Sequence, residues 1–149
     1  MWSTSHTADT PAEPAAVWSA LRDLHSGVKL SETSDTFELH GPFAVGTELS
    51  VTPQGQDTFR SRITELVEEQ VYADETEFGG LILRFRHTLR PVDDGGTRVT
   101  HELVIDGPDA DQVGPDLGPQ ISSDFPAAMR DLFEAAGSRS GARQEMIAG

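Results

Sequence analysis

The chain has 149 residues, 25 acidic and 11 basic, with a net charge of −14. That length suits one domain with one core, and a surface this acidic repels phosphate, which excludes nucleic acid and anionic membrane as expected partners. The absence of cysteine removes disulfides, thiolate nucleophiles and thiolate metal sites.

The N-terminus alternates: Trp2, Thr4, His6 and Ala8 share one face, which predicts a strand over 2–9. Thr10-Pro11-Ala12-Glu13-Pro14 breaks it and opens a helix, with Pro14 at the first helical position where a missing N–H costs nothing. Val17, Trp18, Leu21 and Leu24 form that helix's apolar face, and Gly27 ends it or starts a second short helix. From Thr36 the period becomes two. Phe37 and Leu39 lead into the turn Gly41-Pro42-Phe43; Thr47, Leu49 and Val51 form a strand up to the turn Pro53-Gln54-Gly55-Gln56. Phe59, Ser61 and Ile63 continue, with a bulge expected near Glu65-Leu66-Val67 where the alternation slips.

The clearest strands follow. Tyr72, Asp74, Thr76 and Phe78 alternate up to Gly79-Gly80, a two-residue hairpin turn. Leu81, Leu83, Phe85, His87 and Leu89 alternate up to Asp93-Asp94-Gly95-Gly96, and Val99, His101, Leu103 and Ile105 continue to Gly107-Pro108. Helical spacing then places Leu117, Ile121, Phe125, Met129, Leu132 and Phe133 on one stripe. Pro126 falls inside it and should kink or split the helix. A single α+β domain over 1–137 results, a seven-stranded antiparallel sheet on a long kinked C-terminal helix, with a polar tail over 138–149 expected to fray. No basic segment precedes an apolar run, and no stretch nears the ~20 apolar residues of a membrane span, so the chain reads as cytoplasmic.

Turn geometry fixes a register. If Phe78 pairs with Leu81, Tyr72 lies opposite His87, Asp74 opposite Phe85 and Thr76 opposite Leu83. Keeping apolar faces together then sets Leu89 against Val99, His87 against His101, and Phe85 against Leu103. A row Tyr72–His87–His101 crosses the inner face, which His6 extends if the first strand joins the last. Three readings stand open: hydrogen bonding among these residues in a partly wet interior; acid–base work by His87 or His101, with Tyr72 polarising a carbonyl; or a zinc site of His6, His87 and His101, for which no H-E-x-x-H motif is present. No metal or cofactor is expected. Asp74 faces inward too, either orienting a histidine or standing in water at a cavity mouth, the preferred place. Arg60, Arg62, Arg84, Arg86, Arg90 and Arg98 fall on the outer face with Glu75, Glu77 and Glu102, where cross-strand ion pairs account for them. His25 and His40 fall near turns and read as solvated.

Thr10-Pro11 through Val17-Trp18, Gly41-Pro42-Phe43-Ala44-Val45-Gly46-Thr47, Arg62-Ile63-Thr64-Glu65, Gly96-Thr97-Arg98-Val99-Thr100-His101 and Gly107-Pro108, in that order, resemble the START-like superfamily, and within it the polyketide cyclase/dehydrase (SRPBCC) group of small bacterial proteins. The resemblance spans about Ser5 to about Ala136. It implies a helix-grip fold, a curved sheet gripping the last helix around an internal cavity, and a small hydrophobic or aromatic ligand. Where many relatives carry tryptophan after the first helix, this chain has Leu24-His25-Ser26-Gly27, and the glycine-rich loop of the allergen-type branch is absent; no catalytic residue is carried over.

The leading expectation is therefore ligand binding, with Leu83, Phe85, Leu103, Ile121, Phe125 and Met129 as walls. Tyr72, His87, His101, Asp74 and His6 supply the polar end, and the Gly41–Gly46 loop and Pro126 are gates. The alternatives are a polyketide cyclase or dehydratase using His87, His101 and Tyr72, and a protein-interaction module with an acidic surface. A homodimer is compatible with each.

Overall fold

The computed structural model describes residues 1–32, 34–53 and 55–148, with side chains through Arg139; Gln54 of the expected 53–56 turn and the side chains of 140–149 lie outside these. The elements are β1 (Trp2–Thr10), α1 (Pro14–His25), β2 (Thr36–Leu39), β3 (Glu48–Thr52), β4 (Phe59–Val67), β5 (Val71–Phe78), β6 (Leu81–Pro91), β7 (Thr97–Asp106), α2 (Ala110–Ser122) and α3 (Phe125–Ala148). The strands form one antiparallel sheet in the order β1-β7-β6-β5-β4-β3-β2, so the first strand does lie beside the last.

The hairpin turns set the pairing. Gly79 and Gly80 both adopt left-handed φ, +56° and +83°, a conformation open to glycine at little cost. Phe78 therefore pairs with Leu81, and Tyr72, Asp74 and Thr76 pair with His87, Phe85 and Leu83. Leu89, His87 and Phe85 pair with Val99, His101 and Leu103, and His6 pairs with His101. The bulge falls between Ile63 and Glu65, slightly earlier than the alternation suggests. It turns Leu66 inward and leaves Glu65 and Val67 exposed.

The expected single C-terminal helix is two. α2 ends at Ser122 and α3 begins at Phe125, which makes Pro126 the second residue of a new helix, a position that needs no N–H donor. At the end of α2, Ser123 Oγ donates to the Gln120 carbonyl at 3.2 Å. α2 packs on β1 and β7, whereas α3 packs on α1 and reaches β1. Trp2 clamps α2 in place: a Cβ added at Gly114 or Gly118 would overlap its indole. α2 also carries Pro115 and Pro119 in its interior; this clamp supplies packing where backbone hydrogen bonds are lost.

The space between helices and sheet divides into two apolar clusters. One joins α1 and α3 to the sheet through Val17, Trp18, Leu21, Leu49, Ile63, Leu89, Val99, Met129 and Leu132. The other joins Leu81, Leu83, Leu103, Ile105, Ala110 and Phe125, with Trp2, Phe85 and Ile121 against it. Ion pairs occupy the outer face, as the alternation implies: Arg84 with Glu75 and Asp106, Arg86 with Glu65, Arg98 with Asp9, and both Arg60 and Arg62 with Glu48. A depression of about 310 Å³ on this face, lined by residues including Thr64, Glu75, Arg84 and Glu102, runs among them. Among the described residues no helix is long and apolar enough to cross a membrane.

Candidate functional site

Between the two apolar clusters lies a polar and aromatic belt. Its foundation is one cross-sheet row, Leu66, Tyr72, His87, His101 and His6, contributed in turn by β4, β5, β6, β7 and β1. The row is set by strand alternation, but its rings are organised by helices and a loop. The Tyr72 ring lies 4.0 Å from that of His25 on α1 and stacks at 5.7 Å, nearly parallel, on Phe43 from the β2–β3 loop. His87 and His101 stack face to face at 3.9 Å, and Phe125, at the start of α3, covers His101 at 3.7 Å. His25 meets His87 edge-on at 5.8 Å, so the rings form one continuous column.

His25 is the chief correction to the sequence reading. It is 3% exposed rather than solvated. Its Nδ1 donates to the Leu21 carbonyl at 2.8 Å, which places the proton on Nδ1 in the neutral ring. The signal was present: His25 lies four residues after Leu21 and seven after Trp18, on the buried stripe of α1. His40 is exposed, as expected, and bonds Ser50 Oγ at 2.7 Å. Phe43, expected in a turn and within the Gly41–Gly46 gate loop, caps Tyr72, with Trp18 on its edge and the Arg22 guanidinium 5.4 Å from its ring.

Asp74 is the second correction. It does not stand in water at a mouth but is 4% exposed in the middle of the sheet, between β4 and β6. Its hydrogen-bond partner is no histidine: the Tyr72 hydroxyl donates to it at 2.8 Å. Burial pushes its carboxyl up to about 7, against the opposing pull of that hydroxyl. Holding Asp74 ionised in the fold therefore costs roughly 4 kcal/mol more than in the unfolded chain. Burial and the adjacent Asp74 charge raise the Tyr72 phenol far above its ordinary value, so it acts as a donor and not as a phenolate.

The histidines shift the other way. Burial lowers His25 to about 4. Burial, with His25 and His6 nearby, lowers His101 to about 3. His87 is also held well below the ordinary imidazole value, by burial first and by His101 and His25 second. All three are neutral rings at pH 7. The parallel stack of His87 on His101 turns their faces, not their nitrogens, toward each other. Accordingly, no three His, Asp or Glu side chains among the described residues converge as a metal site.

The expected wall residues separate into groups. Leu83, Phe85, Leu103, Ile121 and Phe125 gather in one cluster, whereas Met129 belongs to the other. Along the inner face of β6, Leu83 and Leu89 are buried, yet Phe85 and His87 between them keep accessible surface. At the same time His87 Nδ1 is itself buried and meets no hydrogen-bond partner among the described residues. A buried orphan nitrogen of this kind calls for an explanation at the level of the site.

The family model for polyketide cyclase / dehydrase and lipid transport proteins matches residues 1–137. The chain belongs to this family. Among solved structures, norcoclaurine synthase of Thalictrum flavum, as a point mutant in complex with a transition-state analogue, is similar with a TM-score of 0.73 and 13% identity. The match covers 93% of this chain and 95% of that one. A protein of Thermus thermophilus gives a TM-score of 0.70 at 14% identity, over 93% and 99% of the two chains. The Zhui aromatase/cyclase of a Streptomyces species gives 0.69 at 15% identity, over 93% and 94%. At these identities the likeness is one of fold. No curated protein matches by sequence.

The opposed shifts predict a pH profile of stability. Each of the three imidazoles has a folded pKa below its unfolded value, so between about pH 4.5 and 6 the unfolded chain binds protons that the fold excludes. Asp74 does the reverse, binding one proton in the fold that the unfolded chain lacks. Up to three against one leaves the unfolded state with more protons, and the melting temperature should rise with pH across that window. The cost of Asp74 grows from about pH 4, where the unfolded carboxyl ionises, and is complete above about pH 7, so Asp74→Asn should raise the melting temperature most at about pH 8, with an advantage that shrinks steadily as the pH falls toward about 4. Calorimetry of the two proteins across this range is the check; an equal loss in Asp74→Asn at every pH would contradict it.

Proposed function

We propose that this protein binds a small hydrophobic or aromatic metabolite between the inner face of the sheet and helices α2 and α3. The observation that carries the reading is the belt itself. Two inner-face residues, Phe85 and His87, retain accessible surface between buried leucines, beside a carboxyl and an unpartnered imidazole nitrogen. Sites for small molecules combine mostly apolar walls with a few placed polar groups in this way. Leu83, Phe85, Leu103, Ile121 and Phe125 form the walls, with Met129 at the far end. Tyr72, Asp74, His87, His101 and His6 are the polar side. Family membership supports the reading, since the family's description includes lipid transport. The break between α2 and α3 and the loop carrying Phe43 are the natural entrances.

Native mass spectrometry with a panel of aromatic polyketide-like and fatty compounds tests the site. A retained adduct that a Leu103→Trp variant fails to hold, with its fold intact, is the expected result. Uptake unchanged in that variant would remove the internal site.

A second reading, a cyclase- or dehydratase-type enzyme, is favoured by one observation, the burial of the Asp74 carboxyl beside the Tyr72 hydroxyl, which pushes the carboxyl up to about 7. A general acid or base works best when its pKa lies near the working pH. Asp74 meets that condition; His87 and His101, lowered by burial, are weak bases at pH 7. In this reading Asp74 carries the proton and Tyr72 orients it. Turnover of a polyketide-like substrate should then follow a titration near pH 7 and be lost in Asp74→Asn while binding survives. Full turnover by that variant would end the enzyme reading.

A further inference from the structure

The sheet has two edges, and they differ. β2 at one edge is four residues long and offers little to pair with. β1 at the other edge is nine residues long, in unbroken register with β7 from Trp2 opposite Ile105 to Thr10 opposite Thr97. Proteins blunt a long edge with proline, a bulge or charge. β1 has no proline and no bulge, and Trp2 to Ala8 contains no Asp, Glu, Lys or Arg.

Hairpin geometry fixes which backbone groups this edge exposes. The two-residue turn makes Phe78 and Leu81 a hydrogen-bonded pair. From there, residues alternate in the neighbour to which they direct N–H and C=O. Leu83, Phe85 and His87 direct theirs to β5, and Arg84, Arg86 and Thr88 direct theirs to β7. Two bonds at the end of β6 agree: Leu89 N–H reaches the Gln70 carbonyl beside β5 at 2.8 Å, and Val92 N–H reaches the Gly96 carbonyl beside β7 at 3.0 Å. Thr100, Glu102 and Val104 are thereby used by β6, so Val99, His101 and Leu103 bond Ala8, His6 and Thr4. The N–H and C=O groups of Ser3, Ser5, Thr7 and Asp9 point away from the sheet. No other backbone hydrogen bond reaches them among the described residues, and their side chains are exposed.

We infer that β1 is a dimerisation edge, pairing antiparallel with β1 of a second copy about a two-fold axis at Ser5. Ser5 then meets Ser5 and Ser3 meets Thr7, which supplies about six backbone hydrogen bonds. The charge pattern selects a second copy as the occupant. At −14, two copies repel at long range, yet the paired segment itself carries no fixed charge. Asp9 at its end is already held by the Arg98 guanidinium at 2.8 and 3.1 Å. Two acidic molecules can therefore meet along this edge without opposing carboxylates, and serine and threonine add no bulk between the strands. The exposed edge groups take no part in the internal site, so the pairing stands whether or not that site takes a ligand.

Sedimentation velocity of the full chain over a concentration series reads the assembly, and amide hydrogen exchange followed by NMR reads the edge. A dimer is expected, with a dissociation constant that falls as salt screens the repulsion between copies. As the dimer fills, the amides of Ser3, Ser5 and Thr7 should slow by at least about tenfold, while those of Thr4, His6 and Ala8, bonded to β7 in either state, should not change. Ser3→Lys/Thr7→Lys sets lysines against each other across the two-fold axis and should weaken the dimer by at least about tenfold. Within one chain these positions face Val104 and Thr100, so the monomer keeps its fold, checked by circular dichroism. Ser3→Glu/Thr7→Lys sets opposite charges across the same pairs and should restore the dimer. A chain that is monomeric at every concentration would overturn the proposal. So would a dimer in which the Ser3, Ser5 and Thr7 amides exchange freely, one indifferent to Ser3→Lys/Thr7→Lys, or a Ser3→Glu/Thr7→Lys variant as weak as the lysine pair.

Discussion

Much of this molecule follows from one buried carboxyl. Asp74 sits at the centre of the sheet with a phenol as its partner, in an interior where the remaining polar groups are neutral imidazoles and hydroxyls. Left ionised, it would be costly; protonated, it is an ordinary hydrogen-bonding group. The surroundings favour the protonated form up to about neutrality. The same burial keeps the three neighbouring histidines uncharged. The interior is thus a low-dielectric space in which acids and bases alike are held neutral, and it responds sharply to whatever charge enters it.

The two faces of the sheet handle charge in opposite ways. Outward, acids and bases pair across strands in contact with water, where each pair contributes little. Inward, a belt of histidines, Tyr72 and Asp74 lies between the two apolar clusters. The cluster around α1 and α3 fastens the helices to the sheet. The cluster around β6, β7 and the start of α3 borders the belt and includes Phe85 and Phe125. The two halves differ in what covers them: α1 and α3 over one, α2 and the start of α3 over the other. α2 carries two internal prolines and is held by Trp2 against two glycines, and α3 starts afresh after a break.

The sheet was legible in the sequence because strict alternation and the turns at Gly79-Gly80 and Asp93–Gly96 leave one register that buries the apolar residues. From that register the row Tyr72, His87 and His101 followed, and the pairing of β1 with β7 adds His6. What strand arithmetic could not provide was anything contributed from outside the sheet. His25 reaches the row from α1, and Phe43 reaches it from a loop, so their meeting with Tyr72 depends on how helix and loop fold back. The placement of Asp74 failed for a related reason. Distance from a turn along β5 says nothing about what covers the strand, and the partner that stabilises the carboxyl lies only two residues away on the same strand. The C-terminal break was foreshadowed by Pro126, although proline alone does not distinguish a kink from a fresh helix start.

In the fold at neutral pH and below, the interior proton resides on a carboxyl and the imidazoles of His25, His87 and His101 carry no charge. Side-chain NMR titration of protein labelled with ¹³C and ¹⁵N reads both directly. The carboxyl carbon of Asp74 should titrate near pH 7, and the ring nitrogens of His25, His87 and His101 should remain in the neutral pattern down to about pH 5. A carboxyl that titrates near 4, or belt imidazoles that protonate between about pH 6 and 7 in the folded protein, would contradict it.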